Sequence, residues 1–357
     1  MTEYLAAIIA RFPLDSEVLS CQRYGSGHVN ATYLVITQSG KRYILQKINH
    51  KVFPNVEGLM RNMVAVTDYL HTRVSDPRGV LPLVNTEDGD GYLQHADGTY
   101  WRVFGFIENG LCLQAPETPE DFYQSAVAFG NFQQQLKEFP AETLCEVIPN
   151  FHNTENRYRL LREAVAKDAA GRASGVREEI AFALAREQEA GILVSMLKEG
   201  KLPLRVTHND TKLNNVMLDA TTRKALCVMD LDTVMPGLSL YDFGDAIRFG
   251  AATAPEDEKD LSRVEMDLTM FEMFTKGYLL ACPDLMAAER EMMPMGAKLM
   301  TLECGVRFLT DYLNADVYFQ THYPEQNLDR CRTQFKLVQD MEEKWSEMTR
   351  IVRELAQ

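Results

Sequence analysis

The chain has 357 residues, of which 46% are hydrophobic and 25% charged, a balance typical of a folded globular protein rather than a disordered one. Its formal net charge of −14 disfavours a nucleic acid as partner, because the average field repels phosphates. No stretch reaches the roughly 18 to 20 apolar residues of a membrane helix, and the apolar run near the N-terminus is too short for a secretory signal. We therefore expect a cytoplasmic monomer with neither a membrane nor a nucleic-acid partner.

Chain length and cysteine positions also limit the domain organisation and the kinds of site to expect. The chain is longer than one hydrophobic core usually serves, so two domains or lobes are expected. Its seven cysteines are scattered and form no C-x-x-C pair, which argues against a disulfide framework or a zinc site. Because each lies in an apolar context, we expect buried free thiols.

The first hundred residues have the pattern of a small sheet with few helices. β-Branched and aromatic runs around glycine-bearing turns predict strands, and apolar residues at helical spacing predict helices. In chain order we predict a helix at 3–12, strands within 18–37 and 42–49, a helix at 55–73, and strands at 79–84 and 99–107. The polar, proline-containing segment "ENGLCLQAPETPE" comes next and is a plausible boundary between lobes.

Helical patterns dominate the rest of the chain, with one β-rich interruption at 203–233. The predicted helices lie near 119–138, 152–168, 174–199, 256–280, 285–313 and 327–355. The acids of "PEDEKD" are interpreted as a helix start, where the helix dipole favours them. These elements predict an α+β bilobal fold with a cleft, formed by a small β-rich lobe at 1–108 and a large, mainly helical lobe at 109–357.

The most informative stretch is "RVTHNDTKLNNVML", whose polar centre is followed by Asp230 at the end of the next apolar strand. Phosphoryl transfer from a nucleotide needs a carboxylate beside the attacking hydroxyl and oxygen ligands for Mg²⁺. We predict that Asp210 orients and deprotonates the acceptor hydroxyl, and that Asn215 and Asp230 coordinate Mg²⁺. Lys212 is placed to neutralise charge on the transferred group, and His208 to brace the loop. The alternative is a polar turn in which Asn and Asp serve the backbone only.

Seven stretches of the chain resemble the aminoglycoside phosphotransferase and choline kinase superfamily, and within it the bacterial N-acetylhexosamine 1-kinases. They are "YGSGHVNATYLV", "LRVTHNDTKLNN", "DLDTVMPG", "YDFGDAIRFGA", "DEKDLS", "ECGVRFLTDYL" and "RTQFKLVQDME". The motif around Asp210 and Asp230 indicates a kinase, whereas the other stretches favour an amino-sugar kinase. The resemblance implies a protein-kinase-like fold and phosphorylation of the anomeric hydroxyl of N-acetylhexosamines (GlcNAc or GalNAc) by ATP and Mg²⁺.

The resemblance also implies a set of nucleotide-binding residues. In this family a glycine loop closes over ATP, and backbone groups after a central strand meet the adenine edge. The matching positions here are Gly25, Ser26, Gly27, Asn30, Gln46, Phe106, Ile107, Glu108 and Lys212. The chain departs from the common pattern at Gln46, where many members carry a lysine that binds phosphates. Lys47 does not replace that lysine, because alternation along a strand points it to the opposite face.

For the acceptor, the resemblance implies contacts from His28, Phe249, Arg307 and Tyr318 in addition to Asp210. Three of them also have simpler interpretations: His28 as a surface or structural histidine, Phe249 as a core residue, and Arg307 as the partner of Asp311 one helical turn away.

The acids after the polar loop are assigned in the same way. Asp232 is either a second choice as metal ligand or a side chain that supports the metal ligands, and Asp242 matches a family aspartate that braces the catalytic loop. Asp245 and Arg248 are expected to pair with each other, because side chains three residues apart are neighbours on a helix.

Two other functions remain open at this point. One is a kinase for another small alcohol, such as choline, homoserine or an aminoglycoside. An arginine in the acceptor pocket argues against the cationic acceptors, choline and the aminoglycosides. The other is a pseudokinase that binds nucleotide without turnover, which the presence of Asp210, Asn215 and Asp230 disfavours. The favoured interpretation is a transferase of amino-sugar and carbohydrate metabolism.

Overall fold

The computed structural model describes residues 2–25 and 29–357. Ser26, Gly27 and His28, predicted above to contact nucleotide and acceptor, lie outside the described residues. The elements of the first part are α1 (Glu3–Ile9), β1 (Val18–Arg23), β2 (Ala31–Thr37), β3 (Arg42–Ile48), α2 (Val56–His71), β4 (Leu83–Val84), β5 (Leu93–Gln94), β6 (Tyr100–Gly105) and β7 (Gly110–Cys112).

Helices make up most of the chain after residue 112. In chain order these elements are α3 (Pro119–Gln135), α4 (Thr154–Lys167), α5 (Arg177–Leu184), α6 (Glu187–Ala190), α7 (Ile192–Lys198), β8 (Arg205–Thr207), β9 (Val216–Asp219), β10 (Ala225–Val228), β11 (Met235–Gly237), α8 (Ser239–Gly250), α9 (Leu268–Ala281), α10 (Ala287–Glu291), α11 (Met293–Leu313), α12 (Gln326–Glu343) and α13 (Trp345–Leu355). The predicted α+β class, with a β-sheet N-terminal region and a helical C-terminal region, is confirmed.

The chain divides into two compact units, and neither is one continuous stretch. Unit 1 comprises Met1–Cys112, Glu138–Pro149 and Val216–Pro236. Unit 2 comprises Leu113–Lys137, Asn150–Asn215 and Gly237–Gln357. The lobes proposed at 1–108 and 109–357 stay a prediction.

Unit 1 is built on a six-stranded antiparallel sheet in the order β1-β2-β3-β6-β4, with β5 also paired to β6. On one face, Leu45 of β3 and Val103 of β6 join Ile8 of α1 in a buried apolar cluster. Because side chains alternate along a strand, the next residues, Gln46 and Arg102, point to the opposite face, where they are directly paired. On that face these two polar residues lie beside the buried apolar side chains of Ile48 and Phe104.

Unit 2 is held together by close helix packing at glycines. A Cβ on Gly130 of α3 would lie 2.8 Å from the carbonyl oxygen of Tyr278 in α9. A Cβ on Gly244 of α8 would lie 2.6 Å from Cγ of Met300 in α11 and closer still to the carbonyl oxygen of Gly296. These contacts set how near α3 approaches α9 and α8 approaches α11, and α8 carries several of the acids discussed below.

Gly244→Ala is therefore expected to lower the free energy of unfolding by about 1 to 3 kcal/mol, the usual cost of overpacking a dense core. Gly175→Ala is the matched control, because a Cβ there meets nothing within 4 Å. Its effect should stay within about 0.5 kcal/mol. Denaturant unfolding of both variants measures the difference, and equal values for the two would contradict the packing argument.

Several local predictions were wrong. The acids of "PEDEKD" lie in irregular chain, and the helix begins only at Leu268, where the Asp267 side chain accepts hydrogen bonds from the amides of Thr269 and Met270. The predicted helix at 174–199 is three helices, α5 to α7. All seven cysteines are free, but only four are buried as expected: Cys112 is exposed, and Cys21 and Cys145 are half-buried.

None of the helices in the described part of the chain has both the length and the apolar character that crossing a bilayer requires.

Candidate active site

The polar loop after β8 is fixed by a buried carboxylate from α8. Asp242 accepts hydrogen bonds from the backbone amides of His208 (2.9 Å) and Asn209 (2.8 Å). The side-chain amide of Gln133 in α3 donates to the same carboxylate (2.9 Å) and to the carbonyl of Val206 (2.8 Å). Burial raises the pKa of Asp242, and these donors partly offset that cost. The loop is thus held from α8 and α3 at the point where β8 ends.

His208 contacts the loop and is shielded from solvent. Its side chain is fully buried, with ring centroids 5.5 Å from Phe129 and 6.1 Å from Phe132. Its Nδ1 accepts a hydrogen bond from the amide of Asp210 (3.3 Å). A ring enclosed by two phenylalanines is suited to bracing, as the sequence suggested, and not to proton transfer with a substrate.

Asp210 presents a half-buried carboxylate with a neighbour on each oxygen. Nζ of Lys212 lies 2.8 Å from Oδ1, and Nδ2 of Asn215 donates to Oδ2 at 2.9 Å. The same Asn215 nitrogen donates to the carbonyl oxygen of Asp210 (2.8 Å). The structure therefore brings together three predicted site residues, Asp210, Lys212 and Asn215, around one side chain that solvent can still reach.

Charge in this loop is balanced by a second acid. Burial disfavours the ammonium of Lys212, but Asp210 and Asp245 outweigh this effect, and the pKa of Lys212 is raised. Asp245 accepts from the amide of Thr211 (3.0 Å) and pairs with Arg248 (2.9 Å), as predicted. Lys212 consequently remains a cation at neutral pH.

Phe249, predicted to contact the acceptor, lies next to this cation: Nζ of Lys212 is 6.0 Å from its ring centroid. The ring is half-buried, so it is not simply core.

Arg307 of α11 lies among aromatic rings. Its guanidinium carbon is 5.1 Å from the ring centroid of Phe151, 5.9 Å from Tyr318 and 5.4 Å from Phe319. Within the part of the chain that the structure describes, it forms no hydrogen bond and no ion pair. The expected alternative, a pair with Asp311, is wrong, because the Asp311 carboxylate accepts from the backbone amides of residues 317–319 instead.

Residues that the sequence did not single out surround Arg307. Burial and the nearby Arg307 charge lower the pKa of Arg157. The buried Glu303 is bonded to His152 (2.9 Å) and to the hydroxyl of Thr154 (2.7 Å). The sequence gives only a weak signal for this cluster, the polar residues of "FHNTENRYR". Their spacing does not indicate a contact with α11.

In unit 1, the segment after β6 holds the residues predicted to meet adenine. The amide of Phe106 donates to the carbonyl of Arg42 (3.0 Å), and the Arg42 guanidinium carbon lies 3.9 Å from the Phe106 ring centroid. Arg42 also pairs with Glu108, whose pKa it lowers. Ile107, the residue between Phe106 and Glu108, is buried. The contacts of Phe106 and Glu108 with Arg42 tie this short segment to β3.

The remaining predicted nucleotide and metal residues of unit 1 fall into two environments. Asp230 is exposed and has a left-handed backbone (φ 54°), whereas Asp232 is buried. Both oxygens of Asp232 are engaged, one by Arg102 (2.5 Å) and the other by Asn30 (2.6 Å). Asp232 is therefore unsuited to the role of metal ligand that the sequence left open. Gly25, at the start of the glycine loop, has φ 74°, a conformation that favours glycine.

Comparison with known proteins gives a consistent result. Residues 20–266 match the model of a family described as the phosphotransferase enzyme family. Among solved structures, the fold is similar to a microcompartment-associated aminopropanol kinase (17% identity, 97% of this chain and 98% of that one, TM-score 0.63).

Two further structures show the same likeness. One is an amicoumacin kinase in complex with AMP-PNP and Ca²⁺ (14% identity, 94% and 93% covered, TM-score 0.62). The other is an aminoglycoside phosphotransferase from Alicyclobacillus acidocaldarius (14% identity, 98% and 96% covered, TM-score 0.61). The predicted kinase-like fold is thereby confirmed.

Proposed function

On the premise that the chain belongs to the phosphotransferase enzyme family, and so transfers phosphate to a small-molecule alcohol, we propose that its acceptor is the anomeric hydroxyl of an N-acetylhexosamine. The products are then the sugar 1-phosphate and ADP. Use of ATP is supported by the similar amicoumacin kinase, which was solved with AMP-PNP.

Asp210 is the proposed base. It is within reach of solvent, and its orientation is set by Lys212 and Asn215. In the proposed reaction its carboxylate accepts the proton of the acceptor hydroxyl as the oxygen–phosphorus bond forms. Lys212, kept cationic by its two acidic neighbours, offsets negative charge near the transferred group. Catalysis then consists mainly of positioning and charge neutralisation.

Asn215 and Asp230 are the proposed ligands of a divalent cation bound together with nucleotide phosphates, and each has an oxygen suited to that role. The nitrogen of Asn215 is used by Asp210, which leaves its amide oxygen as the atom for a metal. Asp230 offers an exposed carboxylate. In the described part of the chain no group of three or more His, Cys, Asp or Glu side chains is arranged to hold a metal. A site of two protein oxygens completed by phosphates and water is what Mg²⁺ prefers in such enzymes. When bound, Mg²⁺ neutralises phosphate charge.

The surroundings of Arg307 are the observation that supports the choice of acceptor. The Arg307 guanidinium lies near three aromatic rings and pairs with no carboxylate among the described residues. Its N–H donors are therefore available to a ligand. Sugar hydroxyls and an N-acetyl carbonyl oxygen accept hydrogen bonds, and the rings provide apolar surface for a pyranose. Choline, ethanolamine and aminoglycosides carry positive charge, which this cation repels.

The first experiment measures ATP consumption with a panel of acceptors: N-acetylglucosamine, N-acetylgalactosamine, choline, homoserine and kanamycin. We expect turnover with the two amino sugars and formation of the sugar 1-phosphate. Comparable turnover with choline or kanamycin, and none with the N-acetylhexosamines, would reject the proposed acceptor.

Arg307→Met tests the role of the arginine. We expect KM for the sugar to rise by about 10- to 100-fold, since a hydrogen bond to a charged donor contributes about 1.5 to 3 kcal/mol, while KM for ATP is unchanged. Arg186→Met is the matched control, because Arg186 also lies over a ring, 3.6 Å from the Phe182 centroid, but is paired with Glu342. An equal effect on sugar KM in both variants would remove Arg307 from the acceptor site.

A further inference from the structure

On the face of the unit 1 sheet opposite the apolar cluster with α1, a buried arginine is paired with a predicted nucleotide-binding residue. Arg102 of β6 is directly opposite Gln46 of β3. Its Nε and Nη2 both donate to Oε1 of Gln46, at 2.9 and 2.8 Å. The two contacts fix which end of the Gln46 amide is the acceptor, and the amide nitrogen is directed to the hydroxyl of Thr32 (3.1 Å).

The same arginine is paired with an acid far away in sequence. Nη1 of Arg102 lies 2.5 Å from Oδ1 of Asp232, and both side chains are 2% exposed. Nδ2 of Asn30, which comes after the glycine loop, donates to the other Asp232 oxygen (2.6 Å). The sulfurs of Met60 and Met63 in α2 complete the surroundings of the guanidinium, at 3.8 and 3.7 Å from Nη1.

Asp230, the proposed metal ligand, is two residues before Asp232 and has a backbone conformation that must be maintained. A non-glycine residue with φ 54° is uncommon and persists where the surrounding structure over-determines it. Here the turn after Asp230 is held by Asp232, and further on by Asn62 of α2, which donates to the carbonyl of Val234 (2.9 Å). Arg102 therefore lies at the centre of the contacts that fix this turn.

We propose that Arg102 is a positioning residue for phosphate and metal binding: through Asp232 it fixes the turn that follows Asp230, and through Gln46 it orients an amide whose second N–H, beside the one donated to Thr32, can donate to a phosphate oxygen. The inference rests on the proposed function, because it takes Asp230 as a metal ligand. Arg102 is buried, so it acts through these two side chains and not by touching the nucleotide. Its charge also neutralises Asp232, which otherwise would offer a second carboxylate beside Asp230.

Stability alone does not account for this arrangement. Burying two charges has a desolvation cost that their attraction often only offsets, and apolar residues of similar size frequently serve a core as well. The methionines around Arg102 show that this region accommodates apolar side chains. The Arg102–Asp232 pair instead connects the strand that carries Gln46 with the turn that follows Asp230. It can therefore orient two groups that are proposed to bind the same nucleotide.

The test compares binding of ATP with and without Mg²⁺ by calorimetry, with no acceptor present. In Arg102→Met the affinity for Mg²⁺·ATP should fall by about 10- to 100-fold, the usual effect of losing a residue that orients a metal ligand. Affinity for metal-free ATP should fall less, because it loses only the contact oriented through Gln46, so the ratio of the two affinities decreases. Arg102→Lys, which keeps the charge beside Asp232, should recover most of the difference. A purely structural role would lower the melting temperature without changing the ratio of the two affinities.

Arg78→Met is the matched control, because Arg78 pairs with Asp219 at the end of β9 (2.8 Å) in the same unit. It should leave the ratio unchanged. A folded Arg102→Met protein that keeps the wild-type ratio overturns the proposal. If that variant does not fold, Arg102→Met/Asp232→Asn, which leaves no unpaired buried charge, is measured in its place and should show the same loss. If neither folds, the role of Arg102 is structural and the proposal is rejected.

The two proposals fail in different ways. If wild-type protein binds Mg²⁺·ATP no more tightly than ATP alone, Asp230 loses its proposed metal role and the inference about Arg102 is lost with it. If the acceptor panel is negative for amino sugars but Mg²⁺ strengthens ATP binding, only the acceptor is wrong.

Discussion

Replacing Asp210 by asparagine is expected to lower kcat by about 10²- to 10⁴-fold, the usual contribution of a general base. The amide cannot accept the hydroxyl proton, although it has nearly the size of the carboxylate. Affinity for Mg²⁺·ATP should change little, because Asn215 and Asp230, the proposed metal ligands, are unchanged. Steady-state kinetics with a saturating acceptor and a separate nucleotide titration measure the two quantities.

Asp168→Asn is the control for this substitution. Asp168 ends α4 in unit 2, is half-buried, and accepts backbone amides of Arg172 (2.8 Å) and Ala173 (3.0 Å), so the same chemical change is made away from the loop. Its kcat should equal that of the wild type. Unchanged turnover in Asp210→Asn would remove Asp210 from the role of base, and absence of turnover in the wild type with every acceptor would favour a pseudokinase.

Asp242→Ala is expected to have the largest effect on stability, lowering the free energy of unfolding on the order of 3 to 5 kcal/mol. The substitution leaves the amides of His208 and Asn209 and the Gln133 side chain without their shared buried acceptor. Each buried donor without a partner costs about 1 to 3 kcal/mol. Turnover should also fall, because the backbone before Asp210 loses its support. Denaturant unfolding monitored by circular dichroism gives the stability change.

Asp267→Ala is a close control, since Asp267 also accepts two backbone amides, those of Thr269 (2.8 Å) and Met270 (3.1 Å), but is half-buried at the start of α9. Loss of such an N-cap costs about 1 kcal/mol, because water replaces the side chain. If both variants lost the same stability, burial of the Asp242 contacts would not be what matters.

The sequence predicted the polar loop well because its information is local. Spacing alone placed Asp210, Lys212 and Asn215 on one short segment between two strands, and the structure shows their side chains in contact. The brace from Asp242 was reached only through family resemblance, since a carboxylate that accepts amides more than thirty residues earlier in the chain leaves no local pattern.

Where competing partners were available, local rules failed. A helical i,i+4 pair was considered for Arg307 and Asp311, but three consecutive backbone amides after α11 take the Asp311 carboxylate. The acids of "PEDEKD" resembled a helix start, yet the N-cap is Asp267, directly before the apolar run of α9. In both cases hydrogen bonds from backbone amides to an aspartate outweighed a weak local preference, for an ion pair in the first and for a helix start in the second.

Arg102 and Asp232 illustrate what remained beyond prediction. They are 130 positions apart, so no local pattern in the sequence connects them. Only the pairing of β3 with β6 shows that Arg102 faces Gln46.

The discontinuity of unit 1 has a consequence for how the protein is made. Arg102 emerges from the ribosome long before Asp232, and β7 emerges before its sheet partner β9. The N-terminal sheet therefore cannot bury Arg102 against its counter-charge, and so cannot reach its final state, until residue 236 has been translated. Fragments that end near residue 112 should accordingly be poorly folded and prone to aggregate, whereas those that extend past residue 236 contain every strand of unit 1.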